Sequence, residues 1–183
     1  MSGSVFGIAG GTVEQLGTDA AKAGRAGEES TGRVLDMIAV ESRRDVWHDL
    51  DVPARGIAAN IDHIVTGGTV VLIVDSKRWR PGFYWTLEDT SYRWLSKVEH
   101  ADRRTMEMIQ QRLSAHIPRA LVRRPLVSIE ASRPGSLNVA FLHVPGADAI
   151  RASALPRRAR ALVPDEPTDP DLVAALFPLL RTS

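Results

Sequence analysis

Residues Asn60–Thr66 and Thr69–Lys77 are two runs rich in Ile and Val that meet at the pair Gly67-Gly68. β-Branched residues fit extended backbone, and a two-residue glycine link between such runs predicts a hairpin. With Gly67-Gly68 as the turn, Ile64 faces Val71, Asp62 faces Ile73 and Asn60 faces Asp75. Side chains alternate faces along a strand, which places Asn60, Asp62, Ile73, Asp75 and Lys77 together on one face. Asp62 and Asp75 become diagonal neighbours, about 7–8 Å apart or a little less at Cβ. Two carboxylates among Ile and Val repel each other and resist ionisation unless positive charge sits with them. Lys77 supplies one such charge, and a divalent cation would supply more. Any one of these residues alone reads as a strand-end charge facing water; their gathering on one face argues for a site.

Around the hairpin the chain alternates between helical and extended patterns. Val34, Leu35 and Ile38 recur at helical spacing between Arg25 and Val40. Seven residues before Leu35, Glu28 projects along the same core-facing stripe, whereas Glu29 lies near Arg33 and Asp36 on the wet side. Asp45–Leu50 reads as a short strand and 51–58, with Pro53 and Gly56, as a loop. Beyond Pro81-Gly82, the aromatics Phe83, Tyr84, Trp85, Tyr92 and Trp94 predict a strand pair. Met106, Ile109 and Leu113 mark a helix over 102–117. Leu126–Ala131 and Leu137–Val144 read as strands and 148–155 as a helix. Asp169-Pro170 is a helix start, an N-cap followed by proline at the first helical position. The expected organisation is a flexible lead over 1–23, one domain over 24–160, and an acidic, proline-rich tail with a short helix over 161–183. The fold class is α/β: an α-β-β-β-α-β core with a mixed sheet flanked by helices.

Composition narrows the chemistry. The chain has no cysteine, which excludes disulfides and thiolate metal sites and fits a reducing, cytoplasmic setting. No apolar run approaches the roughly 20 residues of a membrane-spanning helix, and no basic flank precedes the short apolar stretch Val5–Gly11, so no signal peptide is expected. The net charge of +1 hides a strong asymmetry. Residues 76–160 carry 16 Lys/Arg against seven Asp/Glu, while the segments on both sides are acidic. Arg103, Arg104, Arg123 and Arg124 are the cations expected to meet a phosphate backbone; solvated helix faces are the plain alternative.

Gly27-Glu28, Asp49-Leu50, the run Ala59-Asn60-Ile61-Asp62-His63-Ile64 and Val74-Asp75-Ser76-Lys77, in this order and spacing, resemble the NERD (nuclease-related) domain of the PD-(D/E)xK superfamily. The resemblance spans about Gly24 to Val144 and implies a restriction-endonuclease-like fold. It matches Glu28 to the first-helix acid, Asp62 to the middle aspartate, and Asp75 with Lys77 to the (D/E)xK pair. It implies a metal-dependent, endodeoxyribonuclease-like hydrolase. Asp62, Asp75 and Glu28 would hold Mg²⁺ or Mn²⁺, since all-oxygen ligation suits hard cations, and Lys77 would orient the attacking water or neutralise the transition state. The implied partner is nucleic acid, DNA in preference to RNA, with homo-oligomerisation left open. The Asn-Pro…Gln pattern that many members carry into the next helix has no match within Glu99–Arg112, where Gln110 and Gln111 are displaced. His63 and Ser76, on the opposite face by parity, read as core or supporting residues, and His48-Asp49 as structural. The alternative is a nucleic-acid-binding or assembly module on the same fold that does not cut.

Overall fold

A computed structural model describes residues 2–11, 19–53, 59–98 and 104–181, with only the backbone described at 19–21. The elements are β1 (Val5–Phe6), α1 (Asp19–Glu41), β2 (Asp45–Asp51), β3 (Asn60–Gly67), β4 (Val70–Trp79), β5 (Gly82–Leu87), β6 (Thr90–Arg93) and β7 (Ser96–Lys97). They continue with α2 (Thr105–His116), β8 (Leu121–Val122), β9 (Leu126–Ala131), β10 (Leu137–Phe141), β11 (Asp148–Arg151), α3 (Leu155–Leu162) and α4 (Pro170–Leu176). The expected core order is present as α1-β2-β3-β4-α2-β9. Its mixed sheet runs β1-β2-β3-β4-β9-β11, with β8 also against β4. A smaller sheet, β10-β5-β6-β7, carries the aromatic strands.

Each face of the large sheet has its own apolar core. Leu35, Ile38 and Ala39 of α1 bury against Val46, Val65, Leu72 and Val74, joined by Leu155 and Ala159 of α3. On the other face, Met106, Ile109 and Leu113 of α2 bury against Trp47, Ile64, Val71, Ile73 and Ile129. Each fully buried large aliphatic side chain contributes about 1.5–3 kcal/mol. No described helix is long and apolar enough to cross a membrane.

The hairpin forms one residue further along than expected. Gly67 pairs with Val70 and Ile64 with Ile73, so the two-residue link is Gly68-Thr69, with Gly68 at φ +53°. Gly67 is needed for a different reason. A Cβ there would come within 2.3 Å of the Pro164 carbonyl oxygen, because the C-terminal segment packs against the turn.

Three other expectations change. Within the segment expected as a flexible lead, Val5–Phe6 pairs in parallel with β2, and the Phe6 ring stacks on Trp47 at 4.0 Å. The stretch expected as a helix over 148–155 begins as β11, paired in parallel with β9, and α3 starts only at Leu155. Local helical spacing yields there to an open sheet edge. The segment expected as a tail contributes to the core over its described residues, 161–181, with Leu172 and Leu176 buried. Its helix starts as expected: the Asp169 side chain accepts from the Asp171 and Leu172 amides.

Candidate active site

The charged residues of the hairpin gather where the sheet opens. The β3–β4 ladder ends at His63 with Val74, so Asp62 and Asp75 fall directly opposite each other at the next step, not on a diagonal. Moving the turn by one residue shifts each pair by two positions along one strand. Parity is thus unchanged, and both acids line one cleft. The β2–β3 ladder also skips this step, passing from His48–His63 to Leu50–Ile61. Asp49 between them has φ +53°, and alternation is broken there: Trp47 and Leu50, three apart, both enter the α2-side core, as do Ile64 and Ile61. With both ladders open, the Asp62 carboxylate takes the place of a strand partner and accepts the Ser76 amide at 2.8 Å.

Lys77, two residues from Asp75 and on its face, brings Nζ to 2.8 Å from Oδ1 and 2.7 Å from Oδ2 of Asp75. Glu28 arrives from α1. Gly27 eases this approach: a Cβ there would stand 3.3 Å from Arg78 Cβ, a tight contact, and 3.7 Å from the Arg78 amide nitrogen. Glu29 turns away and pairs with Arg25 at 2.8 Å on the exposed side. Glu28, Asp62, Asp75 and Lys77 line one cleft of about 460 Å³, closed by Trp79 and by Thr105, Met106 and Ile109 of α2.

The electrostatics follow from crowding acids in a partly dry cleft. Burial lifts the Asp62 carboxyl well above the usual aspartate range, Asp75 adds to the lift, and Lys77 opposes it. Burial likewise raises Glu28; Lys77 works against the rise, while Asp49 and Asp75 reinforce it. Burial alone would lower the Lys77 ammonium, but Asp75, Asp62 and Glu28 outweigh it and hold the group above its ordinary value. Three carboxyls thus share one lysine. Such a set is short of positive charge, and its all-oxygen donors fit a hard divalent cation. Among the described residues no three His, Asp or Glu side chains form a ready metal cage. Lys77, spanning both oxygens of Asp75, holds the position that a cation would contest.

Two residues near the acids were not among the site residues expected from sequence. Asp49, which accepts from the Asn60 side-chain amide at 3.2 Å, acts on Glu28 as a further acid. Its place in the Asp49-Leu50 motif was the available signal. Arg78 lines the cleft, and its Nε is buried with no hydrogen-bond partner; nothing in a strand-end arginine marks this in advance. His48 does not relay to Asp49. A chain runs instead from the exposed side chain of Asp36 to the buried His48 (2.8 Å), then His48 to His63 (2.7 Å) and His63 to Ser76 (3.0 Å), beneath the strand that carries Asp75 and Lys77. Burial, with His48 adjacent, holds His63 well below the ordinary histidine value.

The expected phosphate-binding arginines divide. Arg104 and Arg124 line a common cleft with Gln110, Gln111 and His143. Arg124 also pairs with Asp148 at 2.8 Å. Arg123 is exposed and outside that lining. Arg103 lies outside the described residues. Gln110 is engaged structurally, its amide donating to the Val122 and Arg123 carbonyls.

The family described as nuclease-related domain (NERD) matches residues 23–129, more than half of the chain and all four residues of the acid–lysine cluster. This chain belongs to the NERD family. The matched segment runs from the N-terminal half of α1 into β9, so it holds both walls of the cleft. β10, β11, α3 and the C-terminal helix lie beyond the NERD match. No curated protein and no solved structure matches the chain.

Proposed function

We propose that the protein is a metal-dependent nuclease that hydrolyses phosphodiester bonds, in DNA rather than RNA. The observation that carries this reading is the single cleft in which Glu28, Asp62 and Asp75 face Lys77. A pure phosphate binder gains nothing from three acids that repel its ligand. Glu28, Asp62 and Asp75 would hold Mg²⁺ or Mn²⁺, which supplies charge neutralisation at the phosphate. Lys77 orients the attacking water and stabilises negative charge developing on the phosphoryl oxygens. Asp75 keeps the lysine ionised and aimed, and the Ser76 amide holds Asp62 in place. Arg104 and Arg124 hold the backbone further along, with Arg123 and Arg103 as outlying contributors.

The second reading, a module that binds nucleic acid without cutting it, draws on the Lys77–Asp75 pairing and on the lack, among the described residues, of a ready three-ligand cage. One assay separates the two. Circular and linear DNA are incubated with wild type and Lys77→Ala in Mg²⁺, Mn²⁺ or EDTA. The nuclease reading expects cleavage by wild type with metal, none in EDTA, and a loss on the order of 10²–10⁴ in rate for Lys77→Ala with binding retained. Binding without cleavage under every condition supports the module instead.

A further inference from the structure

The smaller sheet has a face that the nuclease cleft does not use. Along β5 the side chains alternate. Tyr84 turns inward, 3% exposed, and the inward Ser91 of β6 is also buried. Phe83 and Trp85 turn outward with Tyr92 of β6, which pairs opposite Trp85. Trp85 and Tyr92 stack at 4.8 Å, and Phe83 lies 5.9 Å from Phe141 and 6.3 Å from Trp94. Five of the chain's ten aromatic rings thus share one outward surface. Trp94 is 60% and Phe141 69% exposed. Trp94 is also held there against its own backbone preference. It sits at φ +55°, a region that bulky residues avoid, with its amide bonded to the Phe83 carbonyl (2.8 Å) and its carbonyl to Trp85 Nε1 (2.7 Å). Exposed clustered aromatics on a sheet mark a binding surface, not a core.

The border of this sheet indicates what binds. β10 carries Phe141 on the aromatic side, and its residues Asn138 and Ala140 line a cleft of about 590 Å³ shared with Arg124, Arg151, Arg157 and Arg158. Asp148 is the acid in that lining and is already paired with Arg124 and Arg158. Among the described residues no carboxylate pairs with Arg151 or Arg157, and Arg158 Nε is buried without a hydrogen-bond partner. Flat aromatic faces beside four guanidinium groups that share one acid complement a ligand that offers bases and phosphates together. A duplex keeps its base faces stacked internally; a single strand presents them.

We infer that the outer face of this sheet is a base-stacking platform for single-stranded nucleic acid, and that phosphates of the same strand lie in the arginine cleft beside β10. This rests on the nucleic-acid substrate proposed above and adds to it a strand state and a second contact site. The test is fluorescence anisotropy of the full chain, in EDTA to prevent cleavage, with a labelled oligothymidylate and a duplex of equal length. Wild type should favour the single strand and show tryptophan quenching on binding. Trp94→Ala and Phe141→Ala, both removing exposed rings, should leave circular dichroism and melting unchanged while weakening single-strand binding roughly 5- to 150-fold each. Arg157→Gln should flatten the salt dependence of that binding. Unchanged single-strand affinity in both aromatic variants overturns the platform. So does a wild-type dimer in sedimentation that becomes monomeric in Trp94→Ala, which would mark an interface between copies. If wild type cuts DNA but the aromatic variants bind normally, the platform fails and the nuclease reading stands. If the aromatic variants lose binding but wild type never cuts with Mg²⁺ or Mn²⁺, the nuclease reading fails and the platform stands.

Discussion

Asp62 is the residue on which folding and chemistry pull hardest against each other. Its carboxyl lies in a cleft with two other acids, and burial raises its pKa well above the unfolded value. A folded carboxyl with a raised pKa binds more protons than the unfolded chain. Its contribution to stability is therefore most favourable below the unfolded pKa near 4 and is lost as pH rises toward the folded value. Asp62→Asn keeps an acceptor for the Ser76 amide but removes the charge. Thermal melting should show the variant more stable than wild type at neutral pH, by about 2–4 °C for each kcal/mol relieved, with the gap closing toward pH 4. The same variant should not cleave DNA. The adjacent pair on α1 tests the other side of the assignment. Glu28→Gln should lose cleavage, whereas Glu29→Ala should cost only the exposed Arg25 pair, about 0.3–0.5 kcal/mol, with activity kept. An inactive Glu29→Ala beside an active Glu28→Gln, in a nicking assay, would place the site on the wrong helix face.

At the level of elements, the site depends on how closely α1 can lie against β4. The buried stripe of α1 is small at its N-terminal end, with Gly27, Thr31 and Gly32, and large at its C-terminal end, with Leu35 and Ile38. The helix is thus anchored by apolar packing at one end and drawn onto the strand backbone at the other, where Glu28 meets Lys77. Gly27→Leu should wedge the helix off Arg78. Overpacking of this kind typically costs about 1–3 kcal/mol, so the variant should fold with a lowered melting temperature and lose cleavage by displacement of Glu28. Full activity in a folded Gly27→Leu protein would show that Glu28 does not need that approach. The aromatic strands were legible from residue type, but their outward face was not: β5 alternates two aromatic sets, and only the core decides which is covered.

Across the whole molecule, acids gather in the cleft with Lys77, and arginines outnumber acids in the cleft beside β10. Arg104 and Arg124 line one tract with His143, and Arg124 and His143 recur in the cleft beside β10. Binding of DNA in EDTA should weaken steeply with salt through counterion release, and each of Arg104→Ala and Arg124→Ala should reduce the slope of log affinity against log salt by about 1. A salt-independent affinity would mean that the basic surface is only solvated. Period-two alternation is local, so placing Asp75 and Lys77 on one face needed only the residue between them, while bringing Asp62 to them needed the parity of the hairpin pairing. It survived an error in the turn, because shifting the turn by one residue preserves parity. The α-β-β-β-α-β order and the Asp169 cap were likewise carried by short-range patterns. What needed the tertiary structure were the long-range partnerships. The open edges of the sheet drew Val5–Phe6 in as β1 and made 148–151 a strand, and the Gly67 turn became the seat of the C-terminal segment. Asp49 was turned toward Glu28 by a break in alternation. Each of these depends on a partner distant along the chain, whose burial outweighs the local preference, and spacing within one segment does not encode that.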